Sequence, residues 1–431
     1  MENKNLLTLV GSFCLILVLA VLPFMAACAK PAPTPTPTPT PIPTPTPKPK
    51  PEAPKTIKLG AAPPLSGPLA AGGNEVKQGY ELAVEAFNKA GGVYVKEFDK
   101  NIPLELILYD CETDPVKAVS KYETLNSSDH VVAYLGAHGS SIHAAAAAVA
   151  EKNKIPYLGV AFALWGLHQK GYKYLFSPFI KTPDIVPGYF DFLESELTPE
   201  ARPHKIANWE LQTDWGIEMA AMVREIAPKY GYEIVSSGKY TFGTKDFSPL
   251  ILEAKAAGAD LVWANPIPPV GIAMVKQMKE LDYNPLVFVI TRAADTWSWT
   301  EALGKDGDYV LLMDIWNYNV KYPGSEEFIK GGEAKYGHLP EPISAPAYSC
   351  VEILADAIER AGTLDSTAIR DAVATTDMMT IIGPIKFGED GTLINPTIVI
   401  LQWQDGKQPL LSPKEWATAR FVYPAPKWKE R

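Results

Sequence analysis

The stretch Val131–Ala150, VVAYLGAHGSSIHAAAAAVA, predicts a strand, a turn and a helix in succession. Its first five residues form an apolar run typical of a buried strand, and Ile142–Ala150 is rich in alanine, the strongest helix former. Between them, Gly136–Ser141 has the composition of a turn. A strand, a turn and a helix start together expose backbone N–H groups, and the partial positive charge of the helix start suits an anion. The stretch therefore predicts an anion site, with the alternative that Ser140 or Ser141 only caps the helix.

Composition and charge narrow the class of protein. The 431 residues are 47% hydrophobic and 21% charged, enough for two or three domains with substantial cores. The net charge is −9, and because residues 28–55 contribute about +3 from four lysines and one glutamate, the chain from Thr56 onward carries about −12. An acidic body without a basic stripe argues against nucleic acid as a partner.

The chain also lacks the usual sequence marks of chemistry. No Gly-x-Ser-x-Gly elbow, His-Glu-x-x-His helix or phosphate-loop lysine motif is present, so we expect no enzyme. No spacing of cysteines and histidines resembles a zinc site, and we expect neither metal nor cofactor. Beyond Cys14 and Cys28 near the start, only Cys111 and Cys350 remain, and an oxidising compartment would permit these two to pair.

Residues 1–27 resemble an export signal. Lys4 precedes the apolar stretch Leu6–Ala20, and small residues follow before Cys28. The segment Met25-Ala26-Ala27-Cys28 resembles a bacterial lipoprotein cleavage site, which predicts Cys28 as the lipidated residue. The alternative is an uncleaved signal anchor, because Leu6–Ala29 could just span a bilayer. Both interpretations place the body outside the cytoplasm and attach it to a membrane.

Residues 28–55 are predicted to form a Pro/Thr-rich tether. Proline occupies nearly every second position of Pro31–Pro54, which prevents helix and sheet and favours extended polyproline II. At about 3.1 Å per residue, this tract could hold a folded body on the order of 70 Å from its anchor.

From Thr56 onward, predicted strands and helices alternate in two series. Alternating elements of this length imply parallel sheets with right-handed crossovers, so two series predict an α/β protein of two lobes. The first series has strands at 57–62, 104–109, 131–135 and 157–160 and helices at 75–90, 115–125 and 142–150. The second has strands at 206–209, 233–240, 260–264 and 285–290, helices at 215–230, 248–257 and 270–281, and a hairpin arm beginning at 397–403.

Several short motifs together resemble the Leu/Ile/Val-binding type of periplasmic binding protein, the solute-binding subunits of ABC importers. The resemblance covers roughly Thr56 to Trp416, and it depends on the order and spacing of the motifs rather than on any one of them. They are Pro64–Gly73 (PLSGPLAAGG), Tyr109–Pro115, Gly136–Ser141, Gly171-Tyr172, Asp246–Ser248 and Ile382–Ile385.

The resemblance implies two Rossmann-like lobes that close on a ligand in the cleft between them. Three interlobe crossings are expected, near Pro183, Asp314 and Gly383. Residues 56–182 with 314–383 would form the first lobe, and residues 183–313 with 384–431 the second. Ligands bind at the carboxyl ends of strands in such sheets, which places Gly136–Ser141 in the cleft.

The resemblance also implies how the ligand is held. Ser140 aligns with the serine that binds the ligand carboxylate in amino-acid-binding members, with Ser141 and the N–H group of Gly139 beside it. His138 is a further candidate contact, whereas His143 is expected to be structural.

The half of the family site that binds the α-ammonium group is not retained. The family's threonine falls on Ala163, the carbonyl that accepts from the ammonium falls near Ala161 or Phe162, and the acidic residue near the first hinge falls on Thr182. Because a buried ammonium without a carboxylate or hydroxyl partner would be costly, the sequence argues against an ordinary α-amino acid as ligand.

The second-lobe glutamate of the family falls on Thr291 or Arg292. Arg292 would reverse the charge at that position and could clamp a second anionic group of the ligand in a bidentate manner. The alternative is a solvated loop arginine.

The predicted lining of the cleft is also altered. Gly72 occupies a position that often carries an aromatic residue, which we expect to open space, while Trp215 and Ile267 replace two tyrosines of the family. The family's disulfide positions are Thr113 and Gly139 here, so that bridge is absent. Further tryptophans fall near the expected edges of the cleft, with the core as the alternative for Trp263 and for tryptophans in general: Trp165, Trp209, Trp263, Trp297 and Trp299.

The sequence thus predicts a monomeric, membrane-tethered receptor that passes a small carboxylate ligand to an ABC permease and performs no chemistry. The ligand is expected to be an aromatic or apolar organic acid. Two alternatives stay open: a binding protein for branched-chain or aromatic amino acids, and a sensor that regulates a signalling partner.

Overall fold

The computed structural model describes residues 51–431 and contains two mainly parallel sheets with helices on their faces, as the α/β prediction requires. The first sheet has the order β4-β1-β5-β6-β7, and all of its pairings are parallel. Its strands, numbered along the chain with a small hairpin of β2 and β3, are β1 Ile57–Ala61, β2 Val93–Val95, β3 Lys100–Ile102, β4 Leu104–Leu108, β5 Ala133–Leu135, β6 Tyr157–Leu158 and β7 Leu175–Phe176.

The second sheet has seven strands in the order β16-β15-β12-β11-β10-β8-β9. The five from β8 to β12 are parallel, and the arm predicted near residue 397 adds two antiparallel strands at one edge. The strands are β8 Lys205–Leu211, β9 Glu233–Tyr240, β10 Leu261–Ala264, β11 Val287–Ile290, β12 Val310–Asp314, β15 Val399–Gln402 and β16 Leu410–Ser412, and a separate hairpin pairs β13 Asp377–Thr380 with β14 Gly383–Lys386.

The helices begin and end where local chemistry favours it. Pro115 opens α2, and the Asp114 side chain accepts hydrogen bonds from the N–H groups of Val116 and Lys117. The helices are α1 Ala70–Lys89, α2 Pro115–Ser127, α3 Ser140–Asn153, α4 Thr182–Glu196, α5 Asp214–Ile226, α6 Ser248–Ala256, α7 Pro268–Glu280, α8 Trp297–Leu303, α9 Ser325–Tyr336, α10 Ser344–Ala361 and α11 Ser366–Ala374.

Helix α1 packs closely against α10, although the two are far apart in sequence. A Cβ atom at Gly79 would lie 2.1 Å from the carbonyl oxygen of Ser344, so only glycine permits this approach. The Ser344 hydroxyl donates to the backbone carbonyl of Glu75 at 2.9 Å. This contact fixes the part of α1 that faces the second sheet.

The chain crosses between the two sheets three times. It leaves the first sheet after β7, enters the second at β8, returns after β12 to α10, and crosses again between β14 and β15. The expectation of two Rossmann-like lobes with three crossings is therefore confirmed, while the exact lobe boundaries remain a prediction.

The buried apolar residues form one large and one smaller cluster, and both are rich in aromatic side chains. Trp209 of β8 and Trp263 of β10 are fully buried, and Trp263 packs against Phe190 of α4 with ring centroids 5.4 Å apart. The alternative that Trp263 belongs to the core is thus confirmed. Cys111 and Cys350 are both buried and unpaired, so the pairing that an oxidising compartment would permit does not occur in this structure.

The predicted signal peptide and Cys28 lie outside the described residues, as does most of the predicted tether. Between residues 51 and 431, no helix is both long and apolar enough to cross a bilayer.

Candidate functional site

A cavity of about 100 Å³ lies between the carboxyl ends of strands from both sheets. Such edges are where open α/β sheets bind ligands. All predicted ligand contacts except Gly72 line this cavity: His138, Gly139, Ser140, Ser141, Ala161, Phe162, Ala163, Trp215, Ile267 and Arg292.

The start of α3 forms one end of the cavity. Gly139 precedes the helix with a φ of 94°, a conformation that favours glycine, and it has no side chain with which to cap the helix. No serine side chain makes the cap hydrogen bond either, so the alternative that Ser140 or Ser141 only caps the helix is wrong. The first N–H groups of the helix have no acceptor within it and, with the two serines, face the cavity.

His143 holds this loop from behind. Its Nδ1 lies 2.8 Å from the carbonyl oxygen of Gly139, and its Nε2 accepts the N–H of Ala137 at 3.3 Å. This pair of contacts assigns a neutral imidazole with the proton on Nδ1. Burial lowers the pKa of His143 to about 3, so the ring stays neutral at physiological pH. The structural role expected for His143 is the one that its contacts describe.

In the loop that carries the ammonium partners in the family, each of the three carbonyls already accepts a hydrogen bond here. The Ala161 carbonyl accepts the N–H of Gly139 at 3.2 Å, and the Phe162 carbonyl accepts Nζ of Lys181 at 2.8 Å. The Ala163 carbonyl accepts the N–H of Thr182 at 3.0 Å, while the Thr182 hydroxyl donates to Glu218. An α-ammonium group would therefore compete with interactions that already hold this loop.

Phe162 provides a rigid apolar wall. Its ring stacks on His143 at 4.3 Å and on His168 at 5.6 Å between centroids, and Nζ of Lys181 lies 3.7 Å from its centre. Lys181 is 2% exposed, and burial holds its pKa well below the usual range. The wall is therefore fixed by contacts on the side away from the cavity.

Three buried polar atoms of residues that line the cavity have no hydrogen-bond partner among the described residues. They are Nδ1 of His138, Nε1 of Trp215, which is a donor, and Oδ1 of Asn265, which is an acceptor. Buried polar atoms are usually paired, so these three are free to bind polar groups of a ligand.

Arg292 also lines the cavity, but its charge is already paired. The guanidinium contacts the carboxylate of Asp295 closely and lies 3.4 Å from that of Asp314. Its side chain is only 16% exposed, which makes the solvated-loop alternative wrong. A ligand anion at Arg292 would have to compete with two carboxylates.

Gly72 does not open the main cavity, contrary to the prediction. A Cβ atom at Gly72 would lie 2.4 Å from the imidazole ring of His138, so the ring occupies the space that the missing side chain leaves. Gly72 instead lines a second pocket of about 40 Å³, together with Glu75 and Asp295.

None of the five additional tryptophans lines the main cavity. Trp209, Trp263 and Trp299 are fully buried in the core, and Trp297 packs against Trp403 and Tyr318. The backbone N–H of the fifth, Trp165, donates to a carboxylate of the other lobe.

That carboxylate belongs to Glu218 of α5. It accepts the N–H groups of Trp165 at 2.9 Å and Gly166 at 2.7 Å, and also the hydroxyl of Thr182. Glu218 thus joins the two lobes at one side of the cavity without lining it.

Sequence reasoning missed part of the lining. Thr213 and Asn265 follow β8 and β10, so the strand-end rule that identified Gly136–Ser141 could have found them. The remainder gave no comparable signal, because their positions depend on how the lobes meet: Leu69, Phe179, Leu211, Asp214, Phe242 and Pro266.

Comparisons with known proteins agree with this geometry. Residues 56–408 match the family described as periplasmic binding protein. A curated relative, Leu/Ile/Val-binding protein homolog 7 of Brucella abortus, is 26% identical over 382 residues, which cover 85% of this chain and 94% of the relative.

Two solved structures share the fold. A leucine binding protein, LivK, from Thermotoga maritima superposes with a TM-score of 0.75 at 20% identity, covering 84% of this chain and all of that one. A solute binding protein from R. palustris in complex with benzoate superposes with a TM-score of 0.72 at 18% identity, covering 85% and 98%. The family comprises extracytoplasmic solute-binding components of ABC transporters rather than enzymes. Because its model matches most of the sequence, this chain belongs to the periplasmic binding protein family.

Proposed function

We propose that the protein captures a small aromatic or apolar carboxylate and delivers it to an ABC permease. The ligand carboxylate would bind the N–H groups and hydroxyls at the start of α3. Its body would contact Phe162, Trp215 and Ile267, which line the cavity.

The observation that carries this proposal is the state of the carbonyls at Ala161, Phe162 and Ala163. All three already accept hydrogen bonds, two of them from Lys181 and Thr182 at the start of α4. The site therefore supports recognition of a carboxylate, whereas an α-ammonium group at this loop would have to share carbonyls that already accept hydrogen bonds. A cavity of about 100 Å³ also suits a small ligand, since an engineered cavity of about 150 Å³ holds benzene.

Ligand capture by both lobes would favour their closed arrangement, and the closed form would be what the permease recognises. We also propose that Cys28 carries the lipid anchor, that residues 28–55 form the tether, and that the receptor is a monomer. Incorporation of labelled palmitate, lost in Cys28→Ala, tests the anchor, and light scattering tests the monomer.

The ligand class is tested by thermal shift of the purified protein against benzoate-like and branched aliphatic acids and against leucine, isoleucine and phenylalanine. A ligand at 100 times its Kd adds about 2.7 kcal/mol of stability, which raises the Tm by a few degrees. We expect the acids to raise the Tm and the α-amino acids to leave it unchanged. A response to α-amino acids alone would contradict the proposal and favour an amino-acid receptor.

A further inference from the structure

The second pocket lies beside the main cavity and shares a wall with it. Leu69, His138, Ile267 and Arg292 line both spaces, so the His138 ring stands between them. The second pocket is small, about 40 Å³, and Glu75 forms part of its lining.

Glu75 is a buried carboxylate without a partner. The residue is 6% exposed, and its side chain makes no hydrogen bond or ion pair with any residue between 51 and 431. Only its backbone carbonyl is bound, by the hydroxyl of Ser344. Burial of an unpaired carboxylate is costly, and native structures rarely retain one without a use for it.

The charges around Glu75 are predominantly negative. Asp295, Asp314 and Glu341 influence it, and within the part of the chain that the structure describes, Arg292 is the one cation that acts on it. The guanidinium is shared between Asp295 and Asp314, which leaves Glu75 uncompensated. Burial, with repulsion from Asp295 and Glu341, raises the pKa of Glu75 well above its usual range. Without a cation in the pocket, the surroundings of Glu75 therefore favour its protonated form.

A metal ion does not fit this arrangement. In residues 51–431, no group of three or more histidine, cysteine, aspartate or glutamate side chains is placed to hold one. An organic ammonium group needs only one carboxylate and a small space, and the pocket provides both.

We propose that the second pocket receives a basic nitrogen of the bound ligand, which pairs with Glu75 on the other side of the His138 ring from the main cavity. This inference rests on the proposed function, because it needs the ligand carboxylate to lie at the start of α3. It narrows the ligand class to carboxylates whose amine is separated from the carboxylate by an apolar body, rather than α-amino acids. With the amine bound, the proton on Glu75 moves to solvent and the carboxylate pairs with the ammonium.

Matched ligands test the inference directly. Titration calorimetry compares 4-(aminomethyl)benzoate with 4-methylbenzoate, and ω-amino acids of three to six carbons with the corresponding alkanoates. We expect at least one amine to bind tenfold or more tightly than its amine-free match. Glu75→Gln should abolish that preference but preserve binding of the amine-free acid, whereas Glu85→Gln, at an exposed position of the same helix, should leave both unchanged.

Proton release provides a second measurement that needs no variant. Calorimetry in two buffers of different ionisation enthalpy at pH 7 should detect protons released when the amine binds and none when its match binds. Equal affinities within every pair, or an amine preference that survives Glu75→Gln, would overturn the inference while leaving the proposed function intact. Failure of every carboxylate to bind would overturn both.

Discussion

Two parts of the main cavity's lining carry charge in different ways. At the start of α3, the Ser140 and Ser141 hydroxyls and the first backbone N–H groups of the helix carry no formal charge. In another part of the lining, the charge of Arg292 is paired with Asp295 and Asp314, and Glu75 lies nearby. The start of α3 can bind an anion without a cationic side chain, whereas the charge of Arg292 is already compensated. A residue's formal charge is therefore a poor guide to which part of the lining binds which ligand group.

The largest expected effect comes from replacing Arg292, the cation that pairs with Asp295 and Asp314. Arg292→Ala leaves Asp295 and Asp314 buried without a cation, which should lower the free energy of unfolding by about 3–5 kcal/mol. Urea denaturation at pH 7 measures it. The triple variant Arg292→Ala/Asp295→Asn/Asp314→Asn should recover much of the loss; if Arg292→Ala alone were as stable as the wild type, the pairing would not matter.

At the start of α3, Ser140→Ala should weaken ligand binding without lowering the free energy of unfolding. A hydrogen bond to a charged group contributes about 1.5–3 kcal/mol, so the affinity for the carboxylate should fall roughly 10- to 100-fold. Calorimetry gives the affinity and urea denaturation the stability. Ser127→Ala, at the end of α2, is the matched control and should change neither quantity; unchanged affinity in Ser140→Ala would remove this serine from the site.

A variant of His143 tests whether its uncharged ring holds the loop before α3 in place. His143→Gln should lose about 1–2 kcal/mol at pH 7, since two hydrogen bonds to the loop are disturbed. The folded-state pKa of His143 is lowered to about 3, below the unfolded value of about 6.5, so its contribution is present above that value and is lost as the pH falls towards 3.

The acid limb of the wild-type stability curve should accordingly be steeper than that of His143→Gln. Thermal unfolding between pH 3 and 7 measures both limbs. Parallel curves would mean that His143 does not change its protonation on unfolding.

The smallest effect concerns the His138 ring, which lies between the two pockets. Gly72→Ala places a methyl group against the His138 ring and should push it towards the main cavity, with a cost of about 1 kcal/mol in ligand affinity. His138→Ala in the same chain removes the obstruction and should restore the affinity. If the single variant binds as the wild type does, the ring has room to move elsewhere.

Much of this arrangement could be predicted from local sequence. The alternation of strands and helices indicated two lobes, and the Gly136–Ser141 turn between an apolar strand and an alanine-rich helix indicated where a ligand carboxylate could lie. These are short-range patterns that depend on residues adjacent in the chain. The contacts that alter the ligand site are long-range: His138 fills the space at Gly72, and Asp314 pairs with Arg292. No local pattern predicts such contacts, so the sequence alone did not identify Glu75 as a candidate residue.

The bridge formed by Glu218 has a consequence for affinity itself. Because this carboxylate joins the lobes without touching the cavity, its hydrogen bonds favour closure whether or not a ligand is present. The apparent Kd of a receptor is its intrinsic Kd divided by the fraction of molecules already in the competent state. Substitution of Glu218 could therefore change the apparent Kd for the ligand without altering which ligand is recognised. A larger fraction of closed molecules without ligand would also limit how well a permease could distinguish a loaded receptor from an empty one.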